Sequence, residues 1–450
     1  MEALMELNAQ VNALVWGPPM QILLIGTGIY LTFRVNWLQV REFGYAIKMT
    51  LGRLRETGEG VGGEVTPFQA LATAMAGTIG VGNIAGVATA IASGGPGAVF
   101  WMWISAFFGM VTKYSEAILA VHYRDVLPDG TVIGGPFKYI EKGLNAKWLA
   151  SIFAVFGALA ALGIGNMTQA NAISQVLETY FNIPTMVTGI ALVILVGAVI
   201  IGGLRSIVRV TEILVPFMCV FYFFAGIVII IMNIGQVPAA IGLIVSNAFT
   251  GTAAVGGFLG STVALAMSRG VARGIFSNEA GLGSAPIVHA AARVKHPAEQ
   301  GFWGIFEVFA DTLVICTITA LSIILTGAWQ TGETGAGLTA LAFGRALPGV
   351  GPYLVVAGVV LFAYSTMLSW EYYGEKCLEY LAGPGIRLGY RIFFIPFLFI
   401  GAVGALEVIW DLADTLNGLM AIPNLVGLLG LSPIVVKITK EYFTEVRNSK

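Results

Sequence analysis

The chemistry this chain offers lies in peptide groups and neutral side chains rather than in a nucleophile or a metal cluster. Between Glu64 and Lys113 no residue is charged, and within that stretch Gly77, Gly80 and Gly82 surround Thr78 and lead into Asn83. Glycine costs roughly 1 kcal/mol relative to alanine inside a helix, so this crowding weakens the middle of a run otherwise fit to cross a membrane. Unwinding there leaves N–H and C=O groups bare in hydrocarbon, at several kcal/mol each, unless a solute, an ion or a cavity satisfies them. The run 270–295 repeats the pattern, with Ser277, Asn278 and Glu279 in mid-span followed by Gly281, Gly283, Ser284 and Pro286. Small residues such as Gly82 and Gly86 also serve close helix packing, which accounts for either interruption alone but not for the pair. Two glycine- and proline-interrupted spans in corresponding positions of two halves point to a solute site at mid-membrane.

Polar side chains at the same depth extend this reading, since amides and charges within a span usually face the bundle interior. The run 148–177 carries Asn166, Gln169 and Asn171, and the last two lie on different helix faces, so one of them is expected at the site. The run 352–375 carries Tyr364, Ser365, Thr366, Ser369 and Trp370. Hydroxyls on Ser365 and Thr366, joined to carbonyls released by an unwound helix, would make an oxygen cage for a small hard cation such as sodium. The simpler alternative is that each hydroxyl bonds back to its own helix. Glu307 and Asp311 share a helix face and are candidates for passing protons, whereas Lys113 and Glu116 read as a neutralised pair near a helix end. The histidines (His122, His289, His296) are scattered, and Cys219, Cys316 and Cys377 stand far apart in apolar surroundings. With no Walker-type loop either, metal-cluster, disulfide, triad and nucleotide-hydrolysing chemistry are not expected, nor is any cofactor.

These groups need a membrane scaffold, and composition demands one. Of 450 residues, 57% are hydrophobic and 11% charged, against about a quarter charged in soluble domains. A net charge of −1 gives no basic patch for nucleic acid. The opening MEALMELNAQ lacks a basic region ahead of an apolar core, so the first span is expected to stay in the chain. Apolar runs predict eleven spans, at about 19–33, 68–92, 98–122, 148–177, 185–203, 210–232, 258–292, 301–326, 352–375, 392–409 and 415–436. Residues 35–57 suit a helix lying on the membrane surface, 125–147 a polar loop turned to water, and 245–257 a connection with short helical pieces. Alternate connections hold 20 of the 24 lysines and arginines, which puts the N-terminus outside and the C-terminus in the cytoplasm. The interrupted spans are then the second and the seventh, entering from opposite faces. The expected fold is an all-α integral membrane protein with eleven transmembrane helices, an extra N-terminal helix preceding a five-plus-five inverted repeat with two discontinuous helices. Its units are 1–67, the first repeat 68–232, an external connection 233–257, the second repeat 258–436 and a cytoplasmic tail 437–450.

The stretch GGPGAVFWMWISAFFG at 94–109 closely resembles the signature of the alanine or glycine:cation symporter family, also called sodium:alanine symporters. The segments ATAMAGTIGVGNIAGVATAI (72–91), GGPFKYIEKGL (134–144) and SNEAGLGSAP (277–286) are similar to that family too, so the resemblance spans most of the chain. It implies a leucine-transporter-like fold, sodium-driven uptake of alanine or glycine, and residence in a prokaryotic cytoplasmic membrane. By this resemblance, backbone N–H groups around Thr78, Ile79, Gly80, Val81 and Gly82 would hold the substrate carboxylate, as half-helix N-termini suit anions. Asn171 or Gln169 would contact the polar end, with Phe276, Ser277 and Trp370 lining the remainder. Sodium would be held by carbonyls of Ala76, Ile79 and Phe362 and by the hydroxyls of Ser365 and Thr366. No aspartate stands in the first interrupted span to meet an ammonium, so carbonyls or an amide would have to do so.

The function expected is sodium-coupled symport of small neutral amino acids by alternating access, with the lipid bilayer, sodium and alanine or glycine as partners. The alternative is the same architecture driven by protons through Glu279, Glu307 or Asp311. A channel or an intramembrane enzyme is a further rival, but no nucleophile, base or metal set converges to support the enzyme.

Overall fold

The computed structural model describes residues 2–58, 62–404 and 407–447. Met1, residues 405 and 406 of the expected span 392–409, and residues 448–450 of the expected tail lie outside the described residues.

Helices account for most of the described chain, and their ends follow local chemistry. Helix α1 (Pro18–Arg34) opens on two prolines, which suit a first turn because its N–H groups are unpaired anyway. Short helices Leu38–Arg41 and Phe43–Gly52 occupy the expected interfacial stretch. Helix α2 (Pro67–Thr78) starts at a capping box in which Thr66 and Gln69 satisfy each other's backbone N–H. After a break comes α3 (Ala85–Gly94), and at the predicted Gly-Gly-Pro-Gly turn Gly95, at φ 72°, ends it and Pro96 opens α4 (Gly97–His122). A small hairpin (Asp125–Val126 with Val132–Ile133) and the helix Pro136–Leu144 fill the polar loop.

Helix α5 (Lys147–Phe181) runs past its expected end and contains a π turn at Gly163–Met167. It is followed by α6 (Thr185–Ile200), α7 (Leu204–Met232) and α8 (Val237–Thr250). The last is a full helix within the expected connection, seated on α4 where Trp101 donates its indole N–H to the Ala248 carbonyl at 3.2 Å. Helix α9 (Val263–Asn278) and the single turn α10 (Pro286–His289) flank the second break. Then come α11 (Pro297–Leu325), with a π turn at Phe309–Cys316, α12 (Gly351–Ala382), α13 (Arg387–Val403) and α14 (Glu407–Gly430).

Among the described residues, eight helices are long and apolar enough to cross a membrane. The three expected crossings outside that count are the two interrupted runs, each split into shorter helices, and α6, which has 16 residues. Helix α4 is the most enclosed of the long helices, whereas α7 turns Ile213, Phe217, Val220, Phe224, Val228 and Ile231 outward at helical spacing, an apolar stripe suited to lipid. Close packing around α4 relies on glycines facing it. A Cβ on Gly270 would lie 2.1 Å from the Ala98 carbonyl oxygen, and one on Gly274 would lie 2.2 Å from Ser105 Oγ.

Candidate functional site

At the first break, α2 holds to Thr78, and Ile79 (φ −79°, ψ 85°) and Gly80 (φ −125°, ψ −158°) leave helical geometry. In a continued helix the Gly80 N–H would donate to the Ala76 carbonyl. Instead it donates to Asn83 Oδ1 at 2.9 Å, and the chain tightens into a 3-10 turn over Val81–Asn83 before α3. Gly80 is extended, a conformation open to any residue, so space rather than strain selects glycine here. A Cβ would lie 2.7 Å from Thr366 Oγ1, and one on Gly77 would lie 2.9 Å from the Tyr373 hydroxyl.

The Ala76 carbonyl thus released is met from α12 by Thr366 Oγ1 at 3.0 Å and Ser365 Oγ at 3.3 Å. Both hydroxyls also stand 2.9 Å from the Phe362 carbonyl of their own helix. The expected cross-helix contact and the simpler back-bond therefore coexist. Two carbonyls and two hydroxyls converge in a buried place, with Ile79 buried at the break beside them. Such a neutral all-oxygen set suits a hard monovalent cation better than a soft metal.

Beside this cluster lies a cavity of about 20 Å³, room for one water-sized molecule. Of the ten residues expected at the substrate, Thr78, Gly80, Val81, Gly82, Gln169, Phe276 and Trp370 line it. Ile79, Asn171 and Ser277 do not. Asn171 reaches toward α13, its Nδ2 lying 3.3 Å from the carbonyls of both Gly401 and Gly404, while the Ser277 hydroxyl donates to Asp311 Oδ2 at 2.9 Å. Five further residues complete the wall: Gly77, Ile164, Glu279, Asn417 and Thr366 of the oxygen cluster. Gly77 and Thr366 belong to features already read from the sequence, and a signal existed for the other three, since Ile164 stands between two glycines, Asn417 is an amide in an apolar span, and Glu279 is a charge in mid-span. A second cavity, of about 250 Å³, shares Val81, Gly82, Gln169 and Phe276 with the first and extends past Thr89, Gln175 and Arg273. Gln169 and Phe276, whose ring has the Arg273 guanidinium 5.4 Å from its centre, line both cavities.

The π turn in α5 aims Gln169. It frees the Ile164 carbonyl, which accepts from Gln169 Nε2 at 3.0 Å and from the Thr168 hydroxyl at 2.6 Å, and leaves Gln169 Oε1 buried with no partner among the described residues. Gly165 in that turn makes room for Trp370, whose Cβ would lie 2.1 Å from an added Cβ.

The second break is held by side chains. Glu279 has φ 56° and Gly281 and Gly283 have φ 91° and 89°, left-handed backbone that ends α9 and reverses the chain before Pro286. Asn278 Oδ1 accepts from Ala280 N at 3.0 Å, and Glu116 Oε1 accepts from Gly281 N at 3.2 Å and from Asn424 Nδ2 at 2.6 Å. Lys113 and Glu116 are therefore not a pair, contrary to their spacing. Lys113 reaches across to Glu307 on α11 at 3.3 Å, because the surrounding glycines let α4 and α11 approach closely, and the other Glu307 oxygen meets His289 Nε2 at 2.7 Å. Glu307 and Asp311 also part company, since the π turn between them breaks the i, i+4 register. Asp311 accepts from Asn83 Nδ2 at 2.6 Å, Ser277 Oγ at 2.9 Å and Thr312 Oγ1 at 2.6 Å, tying both breaks to α11.

Two interrupted helices facing one small cavity, with an oxygen cluster at its edge, describe a membrane transporter. Residues 1–450 match the model of the sodium:alanine symporter family. The chain belongs to that family. It is 51% identical over 450 residues to the sodium/alanine symporter AgcS of Methanococcus maripaludis, covering 98% of this chain and 97% of the relative. The amino-acid carrier protein AlsT of Bacillus subtilis is 38% identical over 422 residues, covering 93% of this chain and 88% of AlsT. A manganese transporter of Eremococcus coleocola shares the fold at TM-score 0.51 and 18% identity, over 82% of this chain and 77% of its own. As a member of the sodium:alanine symporter family the chain is a multi-pass membrane transporter rather than an enzyme, and its class of activity is symport of alanine with a cation.

Proposed function

We propose that this chain imports alanine and glycine together with sodium by alternating access across a prokaryotic cytoplasmic membrane. The observation that carries the reading is the four-oxygen cluster of Ala76, Phe362, Ser365 and Thr366 touching the same unwound segment that walls the cavity. A cation there would replace the α12 hydroxyl contacts to the Ala76 carbonyl and so draw α2 and α12 together around the solute; the Ile79 carbonyl would complete its shell. The substrate carboxylate would face the N–H groups that begin the turn at Val81, which lack helical partners. Ile164, Phe276 and Trp370 bound a space so small that longer side chains clash, and clash discriminates more strongly than a lost contact. Asn171 and Ser277 would act one layer back, through α13 and Asp311 respectively.

The proposed arrangement has eleven crossings, counting the two interrupted helices and α6, as inverted five-helix halves at 68–232 and 258–436 behind one extra helix, N-terminus outside and C-terminus in the cytoplasm. A reporter fused after Lys450 should be cytoplasmic and a tag at Met1 external; both on one side would refute the count. In proteoliposomes, uptake of labelled alanine should require an inward sodium gradient, and equal uptake without one would overturn the coupling. A proton-driven version has one observation in its favour, the buried carboxylate of Asp311 joined to Asn83 and Ser277 at the two breaks. Uptake that follows a pH gradient and ignores sodium would select it.

A further inference from the structure

We infer that Glu279, on the second interrupted helix, supplies the counter-charge for the substrate's ammonium group. The inference rests on the reading of the cavity as the amino-acid site. Glu279 is 3% exposed, lines that cavity, and forms no ion pair among the described residues. The buried Lys113 is engaged by Glu307. Lys113 acts on Glu279 only at a distance, so this membrane-buried carboxylate has room for a cation of its own.

Its local bonds orient it without saturating it. Trp370 Nε1 donates to one oxygen at 3.0 Å and the Ser284 hydroxyl donates to the other. A carboxylate offers about four acceptor positions, so about two remain. The backbone amides at the break do not depend on the carboxylate. The exposed amides of Ala280 and Gly281 are taken by Asn278 and Glu116, and that of Leu282 by the Glu279 main-chain carbonyl at 3.1 Å. Glu279 also occupies left-handed backbone, where an ordinary side chain is disfavoured and glycine is the usual choice. A strained, buried carboxylate in a cavity wall, with no direct ion pair among the described residues, is a functional feature rather than a packing one.

The neighbouring groups complete the match. Gln169 and Asn417 line the same cavity, and their Oε1 and Oδ1 atoms are buried with no partner among the described residues. With Glu279 they supply acceptors for the three N–H donors of an ammonium, whereas a hydroxyl in its place has one.

The test uses full-length protein purified in detergent with saturating sodium. Binding of labelled L-alanine is measured, with competition by L-lactate, which keeps the methyl and carboxylate and replaces the ammonium by a hydroxyl. Wild type should prefer alanine by about 100-fold or more, and Glu279→Gln should weaken alanine by about 30-fold or more, the usual cost of removing one partner of a buried charge pair. Lactate affinity should stay within about threefold, so that the preference collapses. Alanine affinity unchanged in Glu279→Gln overturns the proposal, as does an equal loss of alanine and lactate, which a merely structural role would give. The wild-type arm does not depend on the variant folding: lactate binding within about tenfold of alanine overturns it too. If wild type binds neither alanine nor glycine, the amino-acid reading itself fails, a result distinct from every outcome at Glu279.

Discussion

The two interruptions are built from different materials. The first, at Ile79 and Gly80, contains no charge, and its loosened peptide groups are met by neutral hydroxyls of α12 and by the Asn83 side chain. The second, at 279–285, is tied into buried charge: Glu116 and Asn424 clasp Gly281, while Lys113 and His289 share Glu307 directly beneath. Hydroxyl contacts to a carbonyl are each worth about 0.5–1.5 kcal/mol net and are readily exchanged for a cation. Breaking a buried ion pair by removing one partner costs about 3–5 kcal/mol. The contrast teaches that the α2–α12 contact is the more easily exchanged of the two, while α10 is tied to α4 and α11 through buried charge.

The sharpest way to break this comparison is Glu307→Gln, which leaves Lys113 and His289 without their shared carboxylate. We expect a loss of about 3–5 kcal/mol, read as a fall of several degrees or more in the melting temperature of detergent-purified protein, partly restored by adding Lys113→Met. An unchanged melt would mean that charge does not anchor the second break.

Gly80→Ala tests the first break by bulk alone. Its Cβ meets Thr366 Oγ1 at 2.7 Å, so overpacking of about 1–3 kcal/mol should cut sodium-driven alanine uptake by about 10-fold or more while shifting the melt less than Glu307→Gln. The reverse ranking in the melt would erase the distinction between the two regions.

Thr366→Ala removes one oxygen from the cluster and one contact to the Ala76 carbonyl. The half-saturating sodium concentration should rise by about tenfold, the equivalent of one hydrogen bond, with the alanine-to-glycine preference unchanged. A selective loss of alanine binding would count against the cation assignment.

The smallest effect is expected at Gly86, where an added Cβ would find nothing closer than Arg273 Cδ at 4.0 Å. Gly86→Ala should leave uptake within about twofold of wild type, as unconstrained positions do. Damage comparable to Gly80→Ala would show that glycine content, rather than contact with α12, governs this segment.

The two breaks, and the hydroxyls beside the first, were legible before any coordinates. Gly77, Gly80 and Gly82 marked the first break, the Asn278-to-Pro286 run marked the second, and Ser365 and Thr366 stand beside a released carbonyl as their hydroxyls suggested. What spacing misread were partnerships. Lys113 and Glu116 lie three residues apart on one helix yet serve different neighbours, and Glu307 and Asp311, four apart with a π turn beginning between them, take different partners too. Between Gln169 and Asn171 the sequence offered a choice, and the π turn at Gly163–Met167 aims Gln169 at the cavity and leaves Asn171 to bridge toward α13.

By itself the sequence determined where apolar runs match the thickness of a bilayer and where those runs give way, because helix propensity and the cost of bare peptide groups act over a few neighbouring residues. Only the tertiary structure decided which side chains share a partner and which face the cavity. Those outcomes depend on how closely helices distant in the chain approach, and an extra residue in a single helical turn re-aims every side chain beyond it.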